Sequence, residues 1–259
     1  MLVAEIHGKI VPEAQTSEDY LTSTVFGHLR YLSPDVFWGD LFCNALDCIE
    51  KAETLSMYLC NASISVSKYT RLNAYFWPKH ASLGEPDLAL RFEGGDQQPL
   101  NVLIEAKLFA GKSGYGKNDQ LDRYARIMDD FRTIGIGADA SDHNVLIYLT
   151  AKDSLAEINE SLALPHAGLR SERIFRMQWQ DVLKTCQTCL LSNSIDERDS
   201  LVLDDVKRFL IRRRLEYFER FKHHDKLIFQ ISPQALFSTL FGRVQALETI
   251  IPKHGGWTS

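Results

Sequence analysis

Two carboxylates and an amine are spaced in this sequence so that one chain reversal would bring them together. Asp87 follows Glu85-Pro86, and Glu105 and Lys107 close the run Leu100-Asn101-Val102-Leu103-Ile104-Glu105-Ala106-Lys107. Gln120 and Tyr124 follow, an amide and a phenol four residues apart. Paired acids aimed at one point suit a hard divalent cation such as Mg2+ or Mn2+. An ammonium beside them suits a metal-bound water that must lose its proton. Together these groups are the equipment for hydrolysing a phosphodiester bond.

The elements that must position them follow from side-chain alternation. In a strand, Leu103, Glu105 and Lys107 share one face and Val102, Ile104 and Ala106 the other. Leu88, Leu90 and Phe92 form an earlier short run, and Gly94-Gly95-Asp96 is a turn signal, so an antiparallel hairpin is expected. A turn centred near Asp96 sets position 87 opposite position 105, with Cβ atoms roughly 5 Å apart. Like charges held there repel, so something positive belongs between them, either Lys107 or a metal ion. A bulge would shift the register. Taken alone, Glu105-x-Lys107 is also the ordinary ion pair of an exposed strand. The apolar residues on both faces argue instead for a central strand, where charges need a reason. Asn118 or Asp119 caps the next helix, with Leu121, Tyr124, Ala125, Met128 and Phe131 at helical spacing, which puts Gln120 and Tyr124 one turn apart on one face.

Pro86-Asp87 followed by Glu105-x-Lys107 resembles the PD-(D/E)XK nuclease superfamily, and Gln120-x-x-x-Tyr124 is similar to the element of its exonuclease-type branch. The resemblance covers roughly residues 16 to 190 on about six positions. It implies an α/β fold with a restriction-endonuclease-like core, in which a central mixed β-sheet is flanked by helices. It implies Asp87, Glu105 and Glu18 as metal ligands, the Ala106 carbonyl beside them, and Lys107, Gln120 and Tyr124 as further catalytic residues. Glu18 lies in the first turn of a helix capped by Thr16 or Ser17 and running to about Leu32, though Asp19 is an equally acidic neighbour and the helix dipole favours either. The implied activity is Mg2+- or Mn2+-dependent hydrolysis of nucleic acid, with DNA the expected substrate. A nuclease fold that binds nucleic acid or a partner without cutting is the alternative, and homodimerisation stays open.

The rest of the chain gives these residues a setting. Val145-Leu146-Ile147-Tyr148-Leu149 reads as a third core strand, Arg173 to Gln178 as a fourth, and Trp179 to Leu191 as a helix. Residues 1–192 are expected to form the α/β domain with its N-terminal helices, and 193–259 a helical accessory segment beyond Ser192-Asn193-Ser194. The 259 residues carry no run near 18 apolar residues and no basic-then-apolar leader, so a cytoplasmic protein without a membrane span is expected. Five cysteines lack framework spacing and read as thiols, and Cys186-x-x-Cys189 lacks the partners of a metal or cluster site. Gly111-Lys112-Ser113 lacks the first glycine of a phosphate loop, since position 106 is Ala, and a nucleotide hydrolase built on it is disfavoured. The segment reads as a mobile loop whose Lys112 and Lys117 reach a phosphate backbone. Arg123, on the following helix, joins them as a candidate nucleic-acid contact. A net charge of −5 argues against a broad basic surface for nucleic acid, but Lys207 to Lys222 holds seven cations interleaved with Val206, Leu210, Leu215 and Phe218. That spacing predicts an amphipathic helix with a basic face, ended by His223 and His224.

Overall fold

The computed structural model describes residues 5–7, 17–48, 53–137, 139, 142–164, 173–192 and 195–217. The chain divides into a compact unit, Met1–Glu216, and a second one, Tyr217–Ser259, nearly all of which lies outside the described residues. Seven α-helices are found among the described residues: α1 (Glu18–Leu29), α2 (Gly39–Phe42), α3 (Leu55–Asn61), α4 (Gln120–Asp129), α5 (Leu155–Leu162), α6 (Trp179–Leu190) and α7 (Glu197–Arg212). Five strands, β1 (Arg71–Phe76), β2 (Leu88–Glu93), β3 (Leu100–Ala106), β4 (His143–Thr150) and β5 (Ile174–Gln178), form one sheet in that order. β1, β2 and β3 pair antiparallel, while β3, β4 and β5 pair parallel. The fold is therefore α/β, a mixed open sheet with helices on both faces.

Every residue of β3 is buried, which fits a strand paired on both sides and covered above and below. Val102, Ile104 and Ala106 enter a core shared with α1, α3, α6 and α7, and Leu103 points into the opposite core with Leu121, Tyr124 and Ala125 of α4 and Ile158 of α5. The alternation read from the sequence thus assigns the two faces correctly. The two parallel pairings need crossovers, and α4 and α5 supply them. In the β2–β3 connection Gly94 lies at φ 86°, and any side chain there would run into Thr70 Oγ1. Only glycine takes this turn without strain.

β1 was not expected from the sequence. It is an edge strand whose Leu72, Ala74 and Phe76 pack only partly, so no continuous apolar run marks it. The basic helix expected over Lys207–Lys222 is corrected in its described part. α7 stops at Arg212, and Arg214 lies at φ 58°. Its stop is set by burial: Arg213 turns inward to Glu5, Nε to Oε1 2.7 Å, and Leu215 enters the core. Lys207 and Arg208 both pair with Asp204, so little free basic face remains there. Phe218, Lys222, His223 and His224 lie outside the described residues. α7 itself packs into the sheet's core through Leu203, Val206, Phe209 and Leu210, within the first compact unit. No helix among the described residues is long and apolar enough to cross a membrane.

Candidate active site

The site is assembled at the end of β3. Leu88 stands opposite Ile104, so one step further Asp87 stands opposite Glu105, the register expected from a turn centred at Asp96. Asp87 is fixed at both ends of the residue: its carbonyl accepts the Trp77 N–H at 3.1 Å, and its Oδ2 accepts the Ala106 N–H at 2.8 Å. Lys107 extends the β3–β4 ladder by donating its backbone N–H to Leu149 O at 2.7 Å. Its Nζ lies 2.6 Å from Glu105 Oε1 and 3.6 Å from Glu18 Oε2. The Trp179 indole N–H holds the Lys107 carbonyl at 3.2 Å.

α1 and α4 supply the flanking groups. Ser17 Oγ accepts the Tyr20 N–H and caps α1, leaving Glu18 in its first turn with Oε1 on the Leu108 N–H at 2.9 Å. Asp19 is exposed and reaches Asp87 only through its charge. Asp119 caps α4 through the Asp122 N–H. Gln120 then donates from Nε2 to Glu105 Oε1 at 2.7 Å and to Tyr124 OH at 3.2 Å, while its Oε1 accepts the Ser113 N–H at 2.9 Å. This last bond fixes which end of the amide faces Glu105. Tyr124 OH donates to Glu85 O at 3.0 Å. Asp87, Glu105, Lys107, Gln120, Tyr124 and Glu18 are thus linked in one network.

Three carboxylates surround one ammonium, and the protonation equilibria reflect it. Burial, then the Asp87 charge, pushes the Glu105 carboxyl up to about 8 against the pull of Lys107. Burial also raises Asp87, with Asp19 and Glu18 adding to it and the Ala106 N–H and Lys107 opposing. Lys107 is lowered by burial, but Glu105, Asp87 and Glu18 outweigh that and leave it raised. Tyr124 is pushed up to about 12, first by burial and then by Glu105, so its phenol stays a donor. Glu105 is 1% exposed and its Oε2 has no hydrogen-bond partner. Below about pH 8 that oxygen carries or shares a proton with the Asp87 carboxyl, and once Glu105 is ionised it becomes a buried carboxylate oxygen without a donor, which is costly.

Comparison with protein-family models, curated proteins and solved structures finds no match to this chain. The site's donors fit a hard divalent cation: they are oxygens, they carry excess negative charge, and Glu105 Oε2 lacks a partner. Among the described residues, no three His, Cys, Asp or Glu side chains form a complete metal-binding group. One or two carboxylates are nonetheless the usual protein share for Mg2+, which keeps several waters.

The expected loop contacts divide. Lys112 is not a free loop cation: its side chain is 4% exposed, its Nζ pairs with Asp119 Oδ2 and lies 3.3 Å from Glu160, and its backbone N–H donates to Glu157. Ser161 Oγ donates to the same Asp119 oxygen at 3.0 Å. Lys112 therefore anchors the α4 cap to α5 and, through Ser113, the Gln120 amide. Only the Asp119 cap was legible beforehand, because Glu157, Glu160 and Ser161 approach from more than 40 residues away. Replacing Lys112 with Met strands a buried carboxylate, which should cost about 3–5 kcal/mol in urea unfolding. A loss below about 1 kcal/mol would contradict the anchor. Lys117 is exposed, as expected. Arg123 donates to Leu83 O at 3.1 Å beside the Tyr124 ring. Cys186 and Cys189 lie in the core, their thiols raised by burial, Cys189 to about 11, which does not suit metal ligation.

Proposed function

We propose that the chain is a Mg2+- or Mn2+-dependent nuclease of the PD-(D/E)XK type, acting on DNA in the cytoplasm. The observation that carries the reading is the convergence of Asp87, Glu105 and Lys107 at one strand end, with Glu105 buried and its Oε2 unpartnered. Asp87 and Glu105 would hold the ion, with the Ala106 carbonyl beside them, and Glu18, engaged by the Leu108 N–H and 3.6 Å from Lys107 Nζ, would flank it rather than complete a three-carboxylate set. When bound, the ion lowers the pKa of its water and offsets charge on the scissile phosphate. Lys107, released from Glu105 Oε1, orients the attacking water and steadies the negative charge that develops. Gln120 holds the Glu105 carboxylate in position, and Tyr124 holds Gln120. Lys117 and Arg123 lie on the loop and helix that follow β3 and serve as backbone contacts.

Calorimetric titration with Mn2+ tests this reading. The wild type should release or absorb heat on binding, and Asp87→Asn should bind at least about tenfold more weakly, having lost one charged ligand. No heat from the wild type, together with retained DNA affinity, would favour the non-cutting binding module.

A further inference from the structure

We propose that Arg30, Tyr31, Phe76 and Trp77 form a stacking platform for unpaired nucleotides, delivering a single strand to Asp87. The proposal rests on the nuclease reading and names the form of its substrate. Phe76 ends β1 opposite Leu88, and the next residue, Trp77, donates its N–H to the Asp87 carbonyl at 3.1 Å. The indole is thus carried by the same rung of the sheet as the acid. Trp77 is 36% exposed, whereas Trp38 and Trp179 are at 0% and 1%. It also lies at φ 49°, in the left-handed region where a bulky side chain is an outlier.

The neighbouring groups extend the surface. The Phe76 and Trp77 rings are 5.7 Å apart. The Arg30 guanidinium, at the end of α1, lies 5.8 Å from the Phe76 ring and 4.8 Å from the Tyr31 ring, and Tyr31 is 57% exposed. A cleft of about 310 Å³ opens beside Arg30 and Tyr31 along β1. Arg30 and the exposed Lys79 have no carboxylate partner among the described residues. The exposed Tyr31 and Trp77 rings, beside cations without a carboxylate partner, match a polyanion whose flat faces are free, which means unpaired bases.

Anisotropy of a labelled oligothymidylate, measured without metal on the full chain, tests the platform. Trp77→Phe should bind like the wild type, while Trp77→Ala and Arg30→Ala should bind about tenfold more weakly at unchanged melting temperature. Tryptophan quenching by the oligonucleotide should be smaller in Trp77→Phe than in the wild type. Wild-type affinity in Trp77→Ala, or equal losses for single strand and blunt duplex, would overturn the proposal. Those results would leave Mn2+-dependent cleavage by the wild type intact. Conversely, Trp77-dependent binding without any cleavage would sustain the platform and end the nuclease reading.

Discussion

Glu105→Gln is expected to abolish metal-dependent cleavage, by about 10³-fold or more, and at the same time to stabilise the metal-free protein. The substitution keeps the shape of the side chain and an oxygen for Lys107 and Gln120, so the network's geometry survives. What it removes is one of three negative charges around a single ammonium. The carboxyl's rise from 4.5 to about 8 measures how poorly the fold tolerates that charge. At about 1.4 kcal/mol per unit, the shift corresponds to a penalty on the order of a few kcal/mol once Glu105 is ionised. Relief of that strain should raise the melting temperature above pH 8, at about 2–4 °C per kcal/mol. The sign follows from proton binding. Glu105 holds its proton more tightly folded than unfolded, so its stabilising contribution is fully present below pH 4.5. That contribution is lost as pH rises through about 8. A melting temperature that falls on substitution, or that rises with pH across this window because of Glu105, would contradict the charge assignment.

Metal affinity should climb steeply with pH for the same reason. The ion requires an ionised Glu105, so binding displaces its proton, and affinity should fall about tenfold for each pH unit below about 8. Between pH 8 and pH 6 the loss is then about a hundredfold. Calorimetry in buffers of different ionisation heat would read the released proton directly. A Mn2+ affinity that stays flat from pH 6 to pH 8 would show that Glu105 does not hold the ion or does not titrate there.

Much of this was legible from local pattern because the site's parts are local. Strand alternation placed Glu105 and Lys107 together, the glycine turn fixed Asp87 opposite Glu105, and helical spacing set Gln120 below Tyr124. Contacts made across long stretches of chain were not legible. Lys112 looked like an exposed loop cation because neither Glu157 nor Ser161 announces that it will close over it. β1 was missed because Leu72, Ala74 and Phe76 of this edge strand are only partly buried and polar or exposed residues alternate with them, leaving no continuous apolar run. The basic run after Lys207 looked like one continuous helical face, but burial of Arg213 on Glu5 ends the helix first. In each case tertiary burial overrode the local pattern.

Incubation with linear duplex DNA, circular DNA, single-stranded DNA and RNA in the presence of Mn2+ tests the proposed activity most directly, with Lys107→Ala and Asp87→Asn alongside the wild type. Fragments of at least one DNA substrate should accumulate with the wild type and Mn2+, vanish with a chelator, and be absent from both variants. Cleavage that persists in both folded variants, or a wild type that binds Mn2+ and DNA yet leaves every substrate intact, would contradict it.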